Sequence, residues 1–346
     1  MNSELLQTLS GLLATHPQAD QLLRSLSVLV RLTEVDPDRL DWEILAATIE
    51  DLEQGYRVFA PYRHQRKLTL FGSARLPGDS PEYQMAQAFS AQIAQHGFLV
   101  MTGAGGGIMA AGNSGAGPEN SFGLHIPLPS EEQPNSFIDS ESKGINFRYF
   151  FTRKLFFLKE CDAIAAFPGG LGTQDEIFEC LTLAQTGRFG PVPIILLDHP
   201  RGNYWQQWQT YVSSQLIKRG LANTFDRSLY RITNNLDTAC HWISDFYRIY
   251  QSSRYVDEQW VMRLKAEPTE AILAKLNTEF ADVLLRGDIR KSAPLIEEQD
   301  SSANPLPRLV LTPKRGCAGR LFALIYRLNE LMPPDVGTEH PEIRQG

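Results

Sequence analysis

The residues best suited to chemistry stand in the string Pro168-Gly169-Gly170-Leu171-Gly172-Thr173-Gln174-Asp175-Glu176, with Arg153 and Lys154 upstream. Glycine lets a backbone approach an anion closely and adopt positive φ at little cost. A carboxylate beside such glycines, with an arginine able to donate two parallel hydrogen bonds, suits cleavage of a bond in a phosphorylated sugar. The N-glycosidic bond of a nucleoside 5′-monophosphate is the example that fits. Its hydrolysis passes through an oxocarbenium-like transition state, as in glycoside cleavage. Glu176 beside the anomeric carbon would stabilise that positive charge and orient the attacking water. Phosphate held by the glycines would fix the ribose, using binding energy remote from the reacting bond. No metal or other cofactor is required, and no His/Cys/Asp cluster offers a metal site.

The elements that must position these residues are legible around them. Ala163-Ile164-Ala165-Ala166-Phe167 is apolar without alternation and reads as a buried strand, while Ile177, Phe178, Leu181 and Ala184 recur at helical spacing. The glycines therefore lie in a strand-to-helix turn, where N–H groups point outward at the positive end of a helix dipole. A plainer reading of the same residues is a capping box, Thr173-x-x-Glu176, in which Glu176 only caps its own helix. The string is not a P-loop, because no Gly-Lys-Ser/Thr follows. Two earlier units repeat the pattern. Leu68 to Phe71 leads into Gly72-Ser73-Ala74-Arg75, and Phe98 to Met101 leads into Thr102-Gly103-Ala104-Gly105-Gly106-Gly107. Helices follow at Pro81 to His96 and from Ile108, and a third strand at Phe122 to Ile126. This alternation predicts an α/β, Rossmann-like, doubly wound parallel sheet with helices on both faces. Ligands in such sheets sit beyond the carboxyl ends of the strands. Gly72, Ser73, Gly105, Gly106, Gly107, Gly169, Gly170, Gly172 and Thr173 are thus expected to converge on one phosphorylated ligand.

The rest of the chain frames that core. Residues 1–65 read as a helical extension without chemistry, either a dimerisation or regulatory cap or a packing appendage. Residues 127–146 form a Pro/Ser/Asn/Glu-rich loop, long enough to border a site. The aromatic run Phe147 to Phe157 reads as a packed helix interrupted by Arg153 and Lys154, which either face the ligand or form a solvated basic pair. A strand at Val192 to Leu197, a helix at Trp205 to Lys218, a strand at Tyr230 to Ile232 and a helix at Leu236 to Tyr250 complete a core of 66–250. Residues 251–346 form a mixed C-terminal extension, with helices at Glu270 to Leu285 and Leu321 to Leu331, a strand at Leu309 to Leu311 and a linker near 291–306.

Composition sets the bounds. The 346 residues are 42% hydrophobic and 21% charged, ordinary for a chain with a full core, and the net charge of -7 argues against general nucleic-acid binding. The four cysteines are widely spaced, which fits a reducing compartment with neither a disulfide framework nor a zinc site. No apolar stretch approaches the roughly 20 residues of a membrane span, and the start lacks a basic signal region, so a cytoplasmic protein is expected. Gly103-Ala104-Gly105 begins a dinucleotide fingerprint, but Ile108 stands where its third glycine would fall, and no GxSxG order is present.

With these residues in view, the chain resembles the LOG (Lonely Guy) family, often mislabelled lysine decarboxylase-like, in its longer bacterial form. Pro168 to Glu176 matches PGGxGTxxE, Arg153-Lys154 matches the family's Arg-Lys pair, and the turns at Phe71 to Arg75 and Thr102 to Met109 match its first two glycine turns. The resemblance spans about residues 66–250. It implies a phosphoribohydrolase acting on AMP or cytokinin ribotides, with Arg153 and Glu176 catalytic, Lys154 and Gly170 to Thr173 in ligand contact, and Thr182 at a further binding position. It also implies a homodimer or higher homo-oligomer with sites near the interface, and no PLP-lysine signature supports decarboxylation. The first turn departs from the Cys-x-Ser-Ser of short members, and Glu131 is the best choice for an acidic ligand contact in the longer middle loop. A non-catalytic carrier of molybdenum cofactor and a DNA-handling protein of Rossmann-like fold are the competing readings.

Overall fold

The computed structural model describes residues 2–127, 133–139, 142–295 and 306–337. The chain divides into two compact units, Met1–Glu53 and Gln54–Gly346. The first unit contains α1 (Asn2–Thr15), α2 (Ala19–Val35) and the start of α3 (Arg39–Phe59). Asp36 ends α2 in the left-handed conformation, so the chain turns sharply before α3. Because α3 runs through Glu53 without a break, the compact units divide inside a helix.

The second unit is built on β1 (Lys67–Phe71), α4 (Pro81–Gln95), β2 (Leu99–Thr102), α5 (Ile108–Ala116), β3 (Ser121–His125), β4 (Gly144–Asn146), α6 (Phe150–Lys159), β5 (Ala163–Ala166), α7 (Leu171–Gln185), β6 (Ile194–Leu197), α8 (Tyr204–Tyr211), β7 (Arg231–Thr233) and α9 (Leu236–Ile249). Their strands form one seven-stranded sheet of order β4-β3-β2-β1-β5-β6-β7, with every neighbouring pair parallel. The α/β, doubly wound reading is what the structure shows. The chain winds outward from β1 to β4 and then returns to the other side of β1 through α6. The reversal therefore falls between β1 and β5, which pair Phe71 with Ala166. A crevice opens at such a switch point, beyond the carboxyl ends of the two strands. The strands are apolar on both faces because helices cover both, and β1, β2, β3, β5 and β6 are buried along their whole length.

Several expectations are corrected. The 127–146 loop contains β4 at its end, a strand too short to leave a periodic signal. The expected helix from Trp205 to Lys218 is α8 followed by a π-helical turn, Val212–Ile217. The C-terminal extension is richer in strand than its sequence indicated. It contains β8 (Tyr250–Val256), β9 (Gln259–Leu264), α10 (Glu270–Glu279), β10 (Leu284–Ser292), β11 (Arg308–Pro313) and α11 (Ala318–Leu331). Its antiparallel sheet has the order β10-β11-β9-β8. Trp260, Met262, Leu309, Leu311, Leu324 and Leu328 belong to the same apolar cluster as Leu68, Phe89, Ile195 and Phe246. The extension thus continues the core past residue 250.

Candidate active site

The switch point is locked by its own backbone. Ser73 N–H donates to the Pro168 carbonyl at 3.1 Å, and Ile108 N–H donates to the Ser73 carbonyl at 3.0 Å. One residue of the first glycine turn therefore ties the second and third turns together. Two glycines make this approach feasible. Gly107 has φ +57, and a Cβ there would fall 2.2 Å from the Ser73 oxygen. A Cβ at Gly169 would fall 3.0 Å from Ser73 N and 2.1 Å from Thr173 Oγ1. No side chain with a Cβ fits at either place.

Gly170 is the N-cap of α7, and no side chain caps that helix. The first N–H groups of α7 consequently lack a partner from a capping side chain, and the space a Cβ would take at Gly170 and Gly172 is open. The capping-box reading fails, because Thr173 lies inside the helix, buried beneath Gly169, and not at its cap. Glu176 lies in the second helical turn, one turn deeper than its sequence position suggested, because the helix begins at Leu171.

Arg153 and Lys154 reach Glu176 from α6. Lys154 Nζ bonds Asp175 at 2.6 Å and Glu179 at 2.7 Å, the carboxylates either side of Glu176 on α7. Burial lowers the affinity of this ammonium for its proton, yet its two hydrogen bonds outweigh burial and hold it above the usual lysine range. Arg153 packs over the rings of Phe150 and Phe157, with its guanidinium carbon 4.9 and 5.7 Å from their centres. A Cβ on Gly103 would stand 3.5 Å from Arg153 Nη1, so this arginine also borders the second glycine turn. The Glu176 carboxyl is pushed up from 4.5 to about 7. Burial is the largest cause, opposed by the positive charges of Lys154 and Arg153 and reinforced by Glu179 and Asp175.

The expected packing of the aromatic run holds for Phe156 and Phe157, which are buried, and not for Phe150 and Phe151, which are more than half exposed. Leu155 and Leu171 are also exposed, leaving an apolar surface on α6 and at the start of α7.

The structure gathers Gly72, Ser73, Gly105, Gly106, Gly107, Gly169, Gly170, Gly172, Thr173, Arg153, Lys154 and Glu176 at one edge of the sheet. Thr182 is placed elsewhere. Its hydroxyl donates to the Phe178 carbonyl of its own helix at 2.7 Å, and it lines an apolar cavity with Trp208 and Leu216. Glu131 lies outside the described residues. Among the described residues, no cluster of three or more His, Cys, Asp or Glu side chains could hold a metal ion. The four cysteines are buried and none forms a disulfide.

Other site residues escaped the sequence reading. Tyr204 donates to the Gly169 carbonyl at 2.6 Å and accepts from Gln174 Nε2 at 2.6 Å, pinning the third turn. Thr102 donates to Asn113 Oδ1 at 2.7 Å, and Asn135 Nδ2 donates to the same oxygen at 3.0 Å and to the Gly105 carbonyl at 3.1 Å. Asn135 N–H also donates to the Ala104 carbonyl at 2.7 Å. This network holds Ala104 at φ 60, an uncommon conformation for a residue with a Cβ. Asn135 lies far from the turn in sequence, so no local spacing marks it.

Residues 101–243 match a family model described as "Possible lysine decarboxylase". That segment contains the second and third glycine turns, Arg153, Lys154 and Glu176. No curated protein matches the chain closely enough to be counted. Among solved structures, that of TM1055 is 23% identical, aligns with 51% of this chain and 98% of its own, and has a TM-score of 0.36. The molybdenum cofactor carrier protein of Chlamydomonas reinhardtii is 20% identical over 52% of this chain and 96% of its own, at a TM-score of 0.37. DNA processing protein A of Helicobacter pylori is 13% identical over 52% of this chain and 80% of its own, at a TM-score of 0.33. None of these likenesses decides what the site does.

Proposed function

We propose that the chain is a phosphoribohydrolase that splits a nucleoside 5′-monophosphate, AMP or a cytokinin ribotide, into free base and ribose 5-phosphate. The observation that carries this reading is Glu176: a largely buried carboxyl with a pKa near 7, held beside Arg153 and Lys154 at the edge where three glycine turns meet. The uncapped start of α7 and the Ser73 turn would bind the 5′-phosphate, with Arg153 adding a charged donor. The ribose then lies with its anomeric carbon toward Glu176. The ionised carboxylate stabilises the oxocarbenium-like centre and takes a proton from the attacking water. The water oxygen bonds to C1′, the base leaves with the electron pair of the broken C1′–N bond and takes a proton from solvent, and Glu176 then returns its proton to solvent. Lys154 acts through its neighbours, fixing Asp175 and Glu179 so that Glu176 keeps its place. No step calls for a metal.

The exposed apolar surface of Phe150, Phe151, Leu155 and Leu171 borders this site and supports a homodimer with its active sites near the interface. The test is a substrate panel of purified full-length chain with AMP, isopentenyl-adenine ribotide and the other nucleoside monophosphates, read by chromatography of released base. Release of base with an equal amount of ribose 5-phosphate is expected. Tight ligand retention with no release from any substrate would replace the hydrolase with a non-catalytic carrier.

A further inference from the structure

The opposite edge of the same sheet contains a second cavity, of about 510 Å³. It lies where β1, β5 and β6 begin, as far from the glycine turns as the strands are long. Arg66, Cys161 with Asp162, and Val192 stand just before those strands and form one wall. Tyr247 of α9 and the β8–β9 hairpin form the other. The cavity therefore joins the core to the C-terminal extension, and its volume is that of a small-molecule site.

The electrostatics of its walls are one-sided. Arg66, Lys159, Arg188, Arg254 and Arg263 line it with Asp162, and Lys159 is paired with the neighbouring Glu160. Arg66 decides the matter. It is only 3% exposed, its guanidinium lies 3.6 Å from the centre of the Tyr247 ring, and its Nε is buried without a hydrogen-bond partner. Its contact with Asp162 is long, 3.4 Å, and that carboxylate also accepts from Lys67 N–H at 3.0 Å. A buried guanidinium with an unused donor is costly unless something negative meets it. Its field also reaches Lys265, whose ammonium is pushed down by burial first and by Arg66 second. Ser252 and Ser253 add hydroxyls to the same cavity.

We propose that this cavity binds a small polyphosphorylated molecule, such as a nucleoside triphosphate, through Arg66, Arg188, Arg254 and Arg263. The guanidinium fork matches phosphate oxygens in pairs. A single phosphomonoester has too few oxygens to meet four guanidinium forks in pairs, whereas a triphosphate has enough. The Tyr247 ring, 3.6 Å from the Arg66 guanidinium, helps hold it in place before the ligand arrives. The site is separate from the glycine turns and does not depend on what they bind.

The test is calorimetric titration of the full-length chain with inorganic tripolyphosphate, and separately with inorganic phosphate. The proteins are the wild type, Arg188→Glu, the Arg188→Glu/Arg254→Ala double variant, and Arg153→Ala as the control at the other edge. Arg188 lies on an exposed loop, so Arg188→Glu keeps the fold, as circular dichroism will show. Tripolyphosphate affinity is expected to fall about tenfold in Arg188→Glu and further in the double variant, while persisting in Arg153→Ala. Inorganic phosphate is expected to bind more weakly than tripolyphosphate. Affinity unchanged in Arg188→Glu and the double variant, or abolished by Arg153→Ala, would overturn the proposal, as would wild-type chain that binds no tripolyphosphate at low salt.

Discussion

Glu176 acts through its surroundings. Its pKa near 7 lets it exchange a proton at neutral pH, where an ordinary glutamate at 4.5 stays ionised. If the carboxylate is the working form, kcat/KM for base release rises through about pH 7 and then levels; a pH–rate profile checks this. The same shift has a stability consequence of opposite sense. A carboxyl whose pKa is raised by folding stabilises the folded chain fully below its unfolded pKa of 4.5, and that contribution is lost as the pH climbs through about 7. The wild type is therefore expected to lose melting temperature relative to Glu176→Gln between about pH 5 and about pH 8. A constant difference between the two would separate Glu176 from the buried environment described here. The sequence marked this residue because its string is specific. It could not show whether Glu176 caps a helix, since that depends on where α7 begins, and the bare Gly170 cap decides it.

At the scale of elements, the site is a junction of three turns, and its integrity is backbone geometry. Gly107→Ala puts a Cβ against the Ser73 oxygen and forces a positive φ on a residue with a side chain. A loss of about 1–3 kcal/mol is expected in denaturant unfolding, with substrate affinity falling as well. Tyr204→Phe removes the bond to the Gly169 carbonyl. Its expected cost is about 1 kcal/mol, and, with the turn it pins holding the phosphate as proposed, KM is expected to rise more than kcat falls. Strands and glycine turns were readable because apolar runs ending in Gly-rich stretches leave a local signal. The Thr102–Asn113–Asn135 network was not, since its partners meet only after the chain has crossed β3. Likewise Arg153 could be read as a solvated charge until the return of α6 across the switch point set it beside Gly103.

For the whole molecule, the parallel sheet followed from the order of its units, whereas the extent of the core did not. The sequence from Tyr250 to Leu264 alternates weakly and carries many polar residues, so its hairpin stayed hidden. Yet the C-terminal sheet and α11 share one apolar cluster with β1 and α9. A chain ending at residue 250 is expected to lose cooperative unfolding, because Phe246 and Ile249 would lose Leu324 and Leu328 as core neighbours; calorimetry on the truncated chain would show it. The arrangement as a whole sets the glycine turns at the carboxyl edge of the sheet and the arginine cavity at its amino edge. The most direct test of the central claim compares full-length wild type with Glu176→Gln in AMP, measuring adenine release alongside AMP binding. Wild type should release adenine, and the variant should keep its melting transition and bind AMP while releasing base at least about a hundredfold more slowly. Equal rates of release from the two proteins, or none from the wild type, would contradict the account.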